Sequence, residues 1–378
     1  MKQFSPRSLA ICAVSVALFA FYLSIWLSFA DSPAASRSDF MIYYAAGTLP
    51  LSKLYNIDSQ REVEANAGSP FAANGAVLPF NHTPIFVPLL HLLVNGNYAA
   101  SYLRWTAFLW VAALMCALLV FRMTADVALA FAAGSFYPLF IYIQQGHDTV
   151  FMLLGILLGA HLLSRGQDLL AGIALSLSTL KPHYAIFLAV PLLAKPKAFL
   201  GFFVASTLLA VYSIILIGTP GVFNFISLLK MSAGGEGFGM RPLFMVNLLG
   251  LMERAGLSPQ LARPIAWAAF SAAAISLLVL WKRNPLRPPI ALTMVLAVFT
   301  SPHLYAHDLA LLLVSFASLT KPYPLFLLVS SVALVALTII PGYGQFAVAY
   351  LLLGVLFFMS VKDVRLPNKQ VLTVASNT

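Results

Sequence analysis

Apolar runs of roughly 15 to 23 residues recur from residues 9–30 to 344–361, and they restrict this chain more than any other feature. Each approaches the length of helix, about 20 residues, that crosses the hydrocarbon of a bilayer. Of 378 residues 61% are hydrophobic and only 9% charged, whereas a water-solvated surface normally makes about a quarter of a chain charged. Short alternating segments of the kind that build a membrane barrel are absent. The expected fold is therefore all-α, a polytopic helical membrane protein of about 12 spans forming one integral membrane domain over residues 1–378.

Charge placement gives an orientation. The net charge is +10, but the cations stand singly or in pairs between apolar runs, which is the pattern of topogenic loops and not of a nucleic-acid surface. Arg165, Lys195, Lys197, Lys282, Arg283, Arg287, Lys321, Lys362, Arg365 and Lys369 fall on one face, which the positive-inside rule makes cytoplasmic. The opposite, external face then carries loops 31–82, 219–259, 301–307 and 341–344. Arg122 joins the cytoplasmic set only if the short run 83–94, split by Pro84 and Pro88, does not cross. Lys2 and Arg7 precede the first run, which is longer than a secretory h-region, so it reads as a retained helix with both termini of the chain cytoplasmic. This orientation suits a cell inner (plasma) membrane. Cys12 and Cys116 lie within apolar runs and read as small buried hydrophobes. In the external loop, residues 58–66 (DSQREVEAN) read as a short helix lying at the surface.

Polar clusters interrupt this background on or near the external face. They are Asp39 with Tyr43 and Tyr44, Gln144-Gln145-Gly146-His147-Asp148, Lys181-Pro182-His183, and Ser301-Pro302-His303 through His307-Asp308. His82 stands at the foot of the first loop. Each has an ordinary reading: Asp39 and Asp148 can cap helices, and Lys181 can snorkel from a helix end. A lysine within an apolar stretch is nevertheless costly enough to mark a site. His303 and His307 have the i,i+4 spacing of a zinc pair, but no HExxH motif or cysteine ligand accompanies them, so no metal is expected.

Taken in order, these stretches resemble glycosyltransferase family 87, the membrane transferases that use polyprenyl-phosphate sugars. Asp39-Phe40 with Tyr43-Tyr44-Ala45-Ala46-Gly47, and then Leu54-Tyr55-Asn56, look like that family's first external loop. Thr83-Pro84-Ile85-Phe86 resembles its Tyr-Pro-Pro-hydrophobic segment, and Gln145-Gly146-His147-Asp148 its Gln-Gly-Gln-Asp/Asn turn. Leu180-Lys181-Pro182-His183 and Ser301-Pro302-His303 through Asp308 are similar to its Lys-Pro-Gln and Ser-Pro-His…Asp stretches. Thr83, His147 and His183 depart from the pattern. The resemblance covers roughly residues 35–320. It implies a GT-C-like bundle with the site near the first external loop, and sugar transfer, mannose-like or of another hexose or pentose, to a glycolipid or glycan acceptor. Asp39 would be the catalytic base, with Tyr43, Tyr44, His82, Gln145, His147, Lys181, His183, Arg241, His303 and His307 as substrate-binding residues.

The chemistry is consistent with so few charged groups. A polyprenyl-phosphate leaving group is a phosphate whose second pKa is about 6, so it departs without a general acid. The enzyme needs one base for the acceptor hydroxyl and donors for the phosphate. No cofactor is required beyond the lipid-phosphate sugar itself as co-substrate. The competing reading is a transporter or flippase for a lipid-linked or small polar substrate. Such proteins place paired charges near mid-membrane and often carry internal repeats. None is visible here, and the polar clusters gather toward one face.

Overall fold

The computed structural model describes residues 5–32, 34–233, 242–339 and 344–365; every described element is helical or a turn. Among these residues six helices are long and apolar enough to cross a membrane: Pro6–Phe29, Tyr98–Thr124, Val127–Gln145, Pro196–Met231, Pro259–Arg283 and Phe346–Arg365. Their outward faces are lined with exposed large apolar side chains, among them Leu118, Leu208, Ile215 and Phe358. Apolar surface this continuous is not left facing water. The chain is an all-α polytopic membrane protein.

The remaining apolar helices are shorter than the roughly 20 residues of a full straight crossing. Asp168–Leu180, Pro182–Leu192 and Ile290–Thr300 belong to a group only 10 to 17 residues long. Proline is the physical reason at two of the breaks, because it removes a backbone donor and clashes with the preceding turn. The helix beginning at Pro182 starts at such a break, and Ser301-Pro302 ends the helix Ile290–Thr300. The chain leaves Asp168, rises to Lys181 and returns to Lys195, whose ammonium lies 3.1 Å from Asp168. At 1.5 Å per residue the rising arm covers about 20 Å, short of the roughly 30 Å hydrocarbon thickness. Lys181 thus turns the chain within bilayer depth.

Small residues let these short helices pack closely, as in other membrane bundles. A methyl group on Gly172 would fall 1.9 Å from the Ala198 carbonyl oxygen, so the arm starting at Asp168 lies directly on the long helix Pro196–Met231. Aromatic pairs fix the first helix: Tyr22 stacks on Phe140 with ring centroids 4.5 Å apart, and Trp26 Nε1 donates to Thr106 Oγ1 at 2.8 Å.

One loop expectation is corrected. Residues 219–233 are not a loop: they form a helix ending at Ala233, set off from the helix that starts at Pro196 by a kink at Gly218, whose φ of 65° only glycine adopts readily. The helix Ile57–Asn66 is present at the surface, with Asp58, Glu62, Ala65 and Asn66 exposed, while its other face carries the fully buried Gln60 and Glu64. Arg241, Lys369 and residues 341–343 lie outside the described residues.

The basic positions gather as expected. Met123, Ser164, Asn284, Arg287, Asp363 and Arg365 line one opening, which brings Arg122 to the same end as the other cations and agrees with Pro84–Leu93 being too short to cross. Loops 31–82 and 301–307 meet at the opposite end of the bundle. Cysteines placed singly at Asp58 and Lys282, in a background lacking Cys12 and Cys116, should therefore react differently with an impermeant thiol reagent applied to intact cells. Labelling should occur at Asp58 and not at Lys282; equal labelling would contradict the arrangement.

Candidate active site

Four helix starts converge where those loops meet. Asp39 stands at the N-cap position of Phe40–Thr48, Asp148 at that of Thr149–Ser164 and Lys181 at that of Pro182–Leu192, while Ala306–Leu311 opens just before Asp308. Elsewhere in this chain Asn56, Asn97, Asp126 and Asn247 cap their helices by accepting a backbone N–H. Asp39 and Asp148 make no such bond. Their carboxylates point instead toward other side chains, which sets aside the capping reading for both.

Asp39 accepts from His147 Nε2 at 2.9 Å through Oδ2, and its backbone N–H donates to Gln145 Oε1 at 3.2 Å. Its side chain is 40% exposed, against 2% for Asp148 and none for Asp308. Of these three carboxylates only Asp39 is open to an incoming hydroxyl. Burial pushes its carboxyl upward; the His147 hydrogen bond and the charges of His147, His307 and His82 outweigh that push and hold it below the ordinary carboxylate value.

The turn that delivers His147 is tightly specified. Gly146 has φ +78°, and a Cβ there would lie 2.8 Å from Phe40 Cβ, so only glycine permits the residue before His147 to approach the helix of Asp39. Trp105 Nε1 donates to the Gly146 carbonyl at 2.7 Å, and Tyr102 Oη to that of Gln144 at 2.9 Å. The long helix Tyr98–Thr124 thereby grips the turn from behind.

Behind Asp39 lie two more paired carboxylates. Tyr43 Oη donates to Asp148 Oδ1 at 2.9 Å, and His82 Nδ1 lies 3.1 Å from the same oxygen. Tyr43 is four residues after Asp39 and shares its face, whereas Tyr44 is rotated away and donates to the Gly96 carbonyl at 3.0 Å. The structure does not bring Tyr44 into the cluster. Asp308, fully buried, pairs with Lys181 Nζ and accepts from Tyr142 Oη at 2.7 Å. His307 Nε2 is 3.7 Å from Asp308, and its ring centroid is 4.3 Å from that of His147. The His147–His307 contact joins the Asp39 pair to the Lys181–Asp308 pair. His303 packs edge-on against Tyr305 at 5.1 Å, and His183 lies 4.6 Å from Tyr184, its Nε2 buried with no partner among the described residues. Among the described residues no group of three His, Cys, Asp or Glu side chains is spaced to hold a metal ion.

Sequence reasoning did not assign roles to Asp308 or Tyr142, or to the loop residues that seat His82. Gln60 Oε1 accepts from Phe80 N–H at 2.8 Å, Glu64 accepts from Leu78 N–H at 3.1 Å, and Tyr55 Oη donates to the His82 carbonyl at 2.9 Å. The available signal was the placement of two long polar side chains one helical turn apart in DSQREVEAN, on the face bearing Ile57.

Over residues 80–302 the sequence matches the family described as glycosyltransferase family 87. The chain belongs to glycosyltransferase family 87. No curated protein and no solved structure matches it. The matched stretch contains the His147 turn and Lys181; Asp39 lies well before its start, and His303 and Asp308 lie just after its end. In this family 87 chain, those two outer carboxylates are tied by direct side-chain contacts to His147 and Lys181 inside the matched stretch.

Two measurable consequences follow from these environments. Without the His147 contact, burial acts on Asp39 with less opposition. In His147→Ala the acid limb of a pH–kcat/KM profile governed by Asp39 should move to higher pH; an unmoved limb would show that His147 does not set this carboxyl. Burial also raises Glu64 to about 7. Unfolded chain then ionises Glu64 first, so the segment 57–82 should lose stability as pH rises from about 4.5 to about 7. Glu64→Gln should abolish that slope in hydrogen exchange of this segment, and an unchanged slope would place its origin elsewhere.

Proposed function

We propose that this family 87 glycosyltransferase takes its sugar from a polyprenyl-phosphate donor and passes it, with inversion, to an acceptor hydroxyl on a glycolipid or glycan. The observation that carries the proposal is the Asp39 carboxylate: exposed, uncommitted to its helix, held by His147, and joined through His307 to a buried lysine. In the step envisaged, the acceptor oxygen attacks the anomeric carbon while Asp39 takes the hydroxyl proton. The bond from that carbon to the phosphate oxygen breaks and polyprenyl phosphate leaves. A base needs only to be ionised and within about 2.6–3.2 Å of the hydroxyl; the lowered titration of Asp39 supports the first requirement.

Lys181 and the N-terminal ends of the helices at Asp148 and Lys181 would receive the phosphate, since helix N-termini and cations both favour an anion. Lys181 already has Asp308 as counter-ion, so its charge is positioned before the donor arrives. The positive-inside rule puts this cluster on the external side of a plasma membrane with the termini cytoplasmic. The sugar is proposed to be mannose-like or another hexose or pentose.

Asp39→Asn keeps shape and removes basicity, so transfer should fall by roughly 10²- to 10⁴-fold with donor binding retained; transfer near the wild-type rate would remove Asp39 from this role. For Lys181, a single Lys181→Met change strands the buried Asp308, which is itself destabilising. The paired change Lys181→Met with Asp308→Asn avoids that, and it should fold and bind a polyprenyl-phosphate sugar more weakly. Unchanged donor affinity in the folded pair would make Lys181 a structural residue only.

A further inference from the structure

One cavity lies away from the carboxylate cluster. It has a volume of about 690 Å³ and opens at the opposite, basic end of the bundle. Ligand sites are commonly of this size, around 300–1,000 Å³. Its lining mixes apolar side chains, among them Met123, Ala160 and Leu292, with polar ones that include Arg287 and Arg365. Arg287 donates through Nη2 to Thr320 Oγ1 at 3.0 Å and to Asp363 Oδ2 at 3.2 Å. A guanidinium has five N–H donors, and these bonds engage one nitrogen, leaving the rest of the fork for an anion. The one carboxylate on the wall, Asp363, is already compensated by Arg287 and by the Thr320 N–H.

A second observation points to an occupant. Ser360 is 1% exposed and lines this cavity, yet its hydroxyl has no partner among the described residues. Ser318, half-buried and also on the wall, likewise has a buried hydroxyl with no partner among the described residues. A helical serine ordinarily returns its hydroxyl to the carbonyl four residues back, as Ser213 and Ser330 do here. Two buried hydroxyls without that bond, sharing the lining with two arginines and with apolar side chains, make it amphiphilic. The surrounding face adds Arg122, Arg165, Lys282, Arg283, Lys321 and Lys362, a density of cations that attracts anionic lipid.

We propose that this cavity is a binding site for a phosphate-bearing lipid headgroup, with Arg287 and Arg365 on the phosphate and Ser318 and Ser360 on its ester or polyol oxygens. The site is separate from the carboxylate cluster and does not depend on the donor proposed above. Two sources share the chemistry, an anionic phospholipid of the surrounding leaflet and a polyprenyl phosphate.

The test is lipid retention by the full-length protein in nanodiscs, read by native mass spectrometry after partial delipidation. Discs would be made of phosphatidylcholine alone, of phosphatidylcholine with phosphatidylglycerol, and of that mixture with polyprenyl phosphate. The wild type should retain one phosphatidylglycerol in preference to phosphatidylcholine. The Arg287→Gln, Arg365→Gln pair should weaken that retention at least about tenfold, and Ser360→Leu, which fills the cavity with an apolar group, should weaken it without lowering thermal stability. Displacement of phosphatidylglycerol by polyprenyl phosphate would identify the carrier lipid as the occupant; no displacement would identify bulk phospholipid. Equal retention of phosphatidylcholine, or retention unchanged in both variants, would overturn the proposal and leave a water-filled vestibule.

Discussion

Burying carboxylates at one end of an apolar bundle is the constraint on which the rest of this structure depends. An unpaired charge cannot remain ionised in such surroundings, so Asp148 and Asp308 each require a basic partner and a tyrosine hydroxyl. Those partners come from segments far apart in sequence, and the helices must stop at the right depth to deliver them. Gly146, Lys181-Pro182 and Ser301-Pro302 are those stopping points. Irregular backbone within bilayer depth is tolerated only where it lines a polar interior, and here each break opens onto the same cluster. Asp39, with its side chain 40% exposed, is the most open of the three.

The two ends of the bundle divide the work. At one end the cations stand in pairs or alone on the surface, setting orientation and, in the inference drawn above, holding a lipid headgroup. At the other, Lys181 is buried and matched to Asp308. The segment 31–82 covers that end. Its helix Ile57–Asn66 is held to the backbone of residues 78–80 by Gln60 and Glu64, and through that backbone it fixes where His82 meets Asp148.

Much of this was legible in the sequence. Span-length apolar runs and scarce charge require helices in a membrane, and the order of the Asp39, His147, Lys181 and His303 stretches carries the family. Spacing also placed Tyr43, together with Tyr44, about one helical turn beyond Asp39. What stayed hidden depends on contacts between distant segments. Nothing local distinguishes an aspartate that caps its helix, such as Asp126, from Asp148, which turns to Tyr43 and His82. Adjacent tyrosines read alike until the helix sends Tyr43 inward and Tyr44 toward Gly96. An apolar run likewise does not show which residue its chain returns to, and the pairing of Lys195 with Asp168 across the turn at Lys181 appears only in the fold.

The central claim is that a lipid-phosphate sugar reacts at the carboxylate cluster of a family 87 transferase. Its most direct test is to offer the purified protein, in lipid, a panel of polyprenyl-phosphate sugars beside the corresponding nucleotide sugars, and to follow transfer and donor cleavage by mass spectrometry. The account predicts that polyprenyl phosphate is released only from the lipid-linked donors, with the sugar appearing on an added glycolipid or glycan acceptor. Consumption of nucleotide sugars with the lipid-linked donors untouched would contradict it.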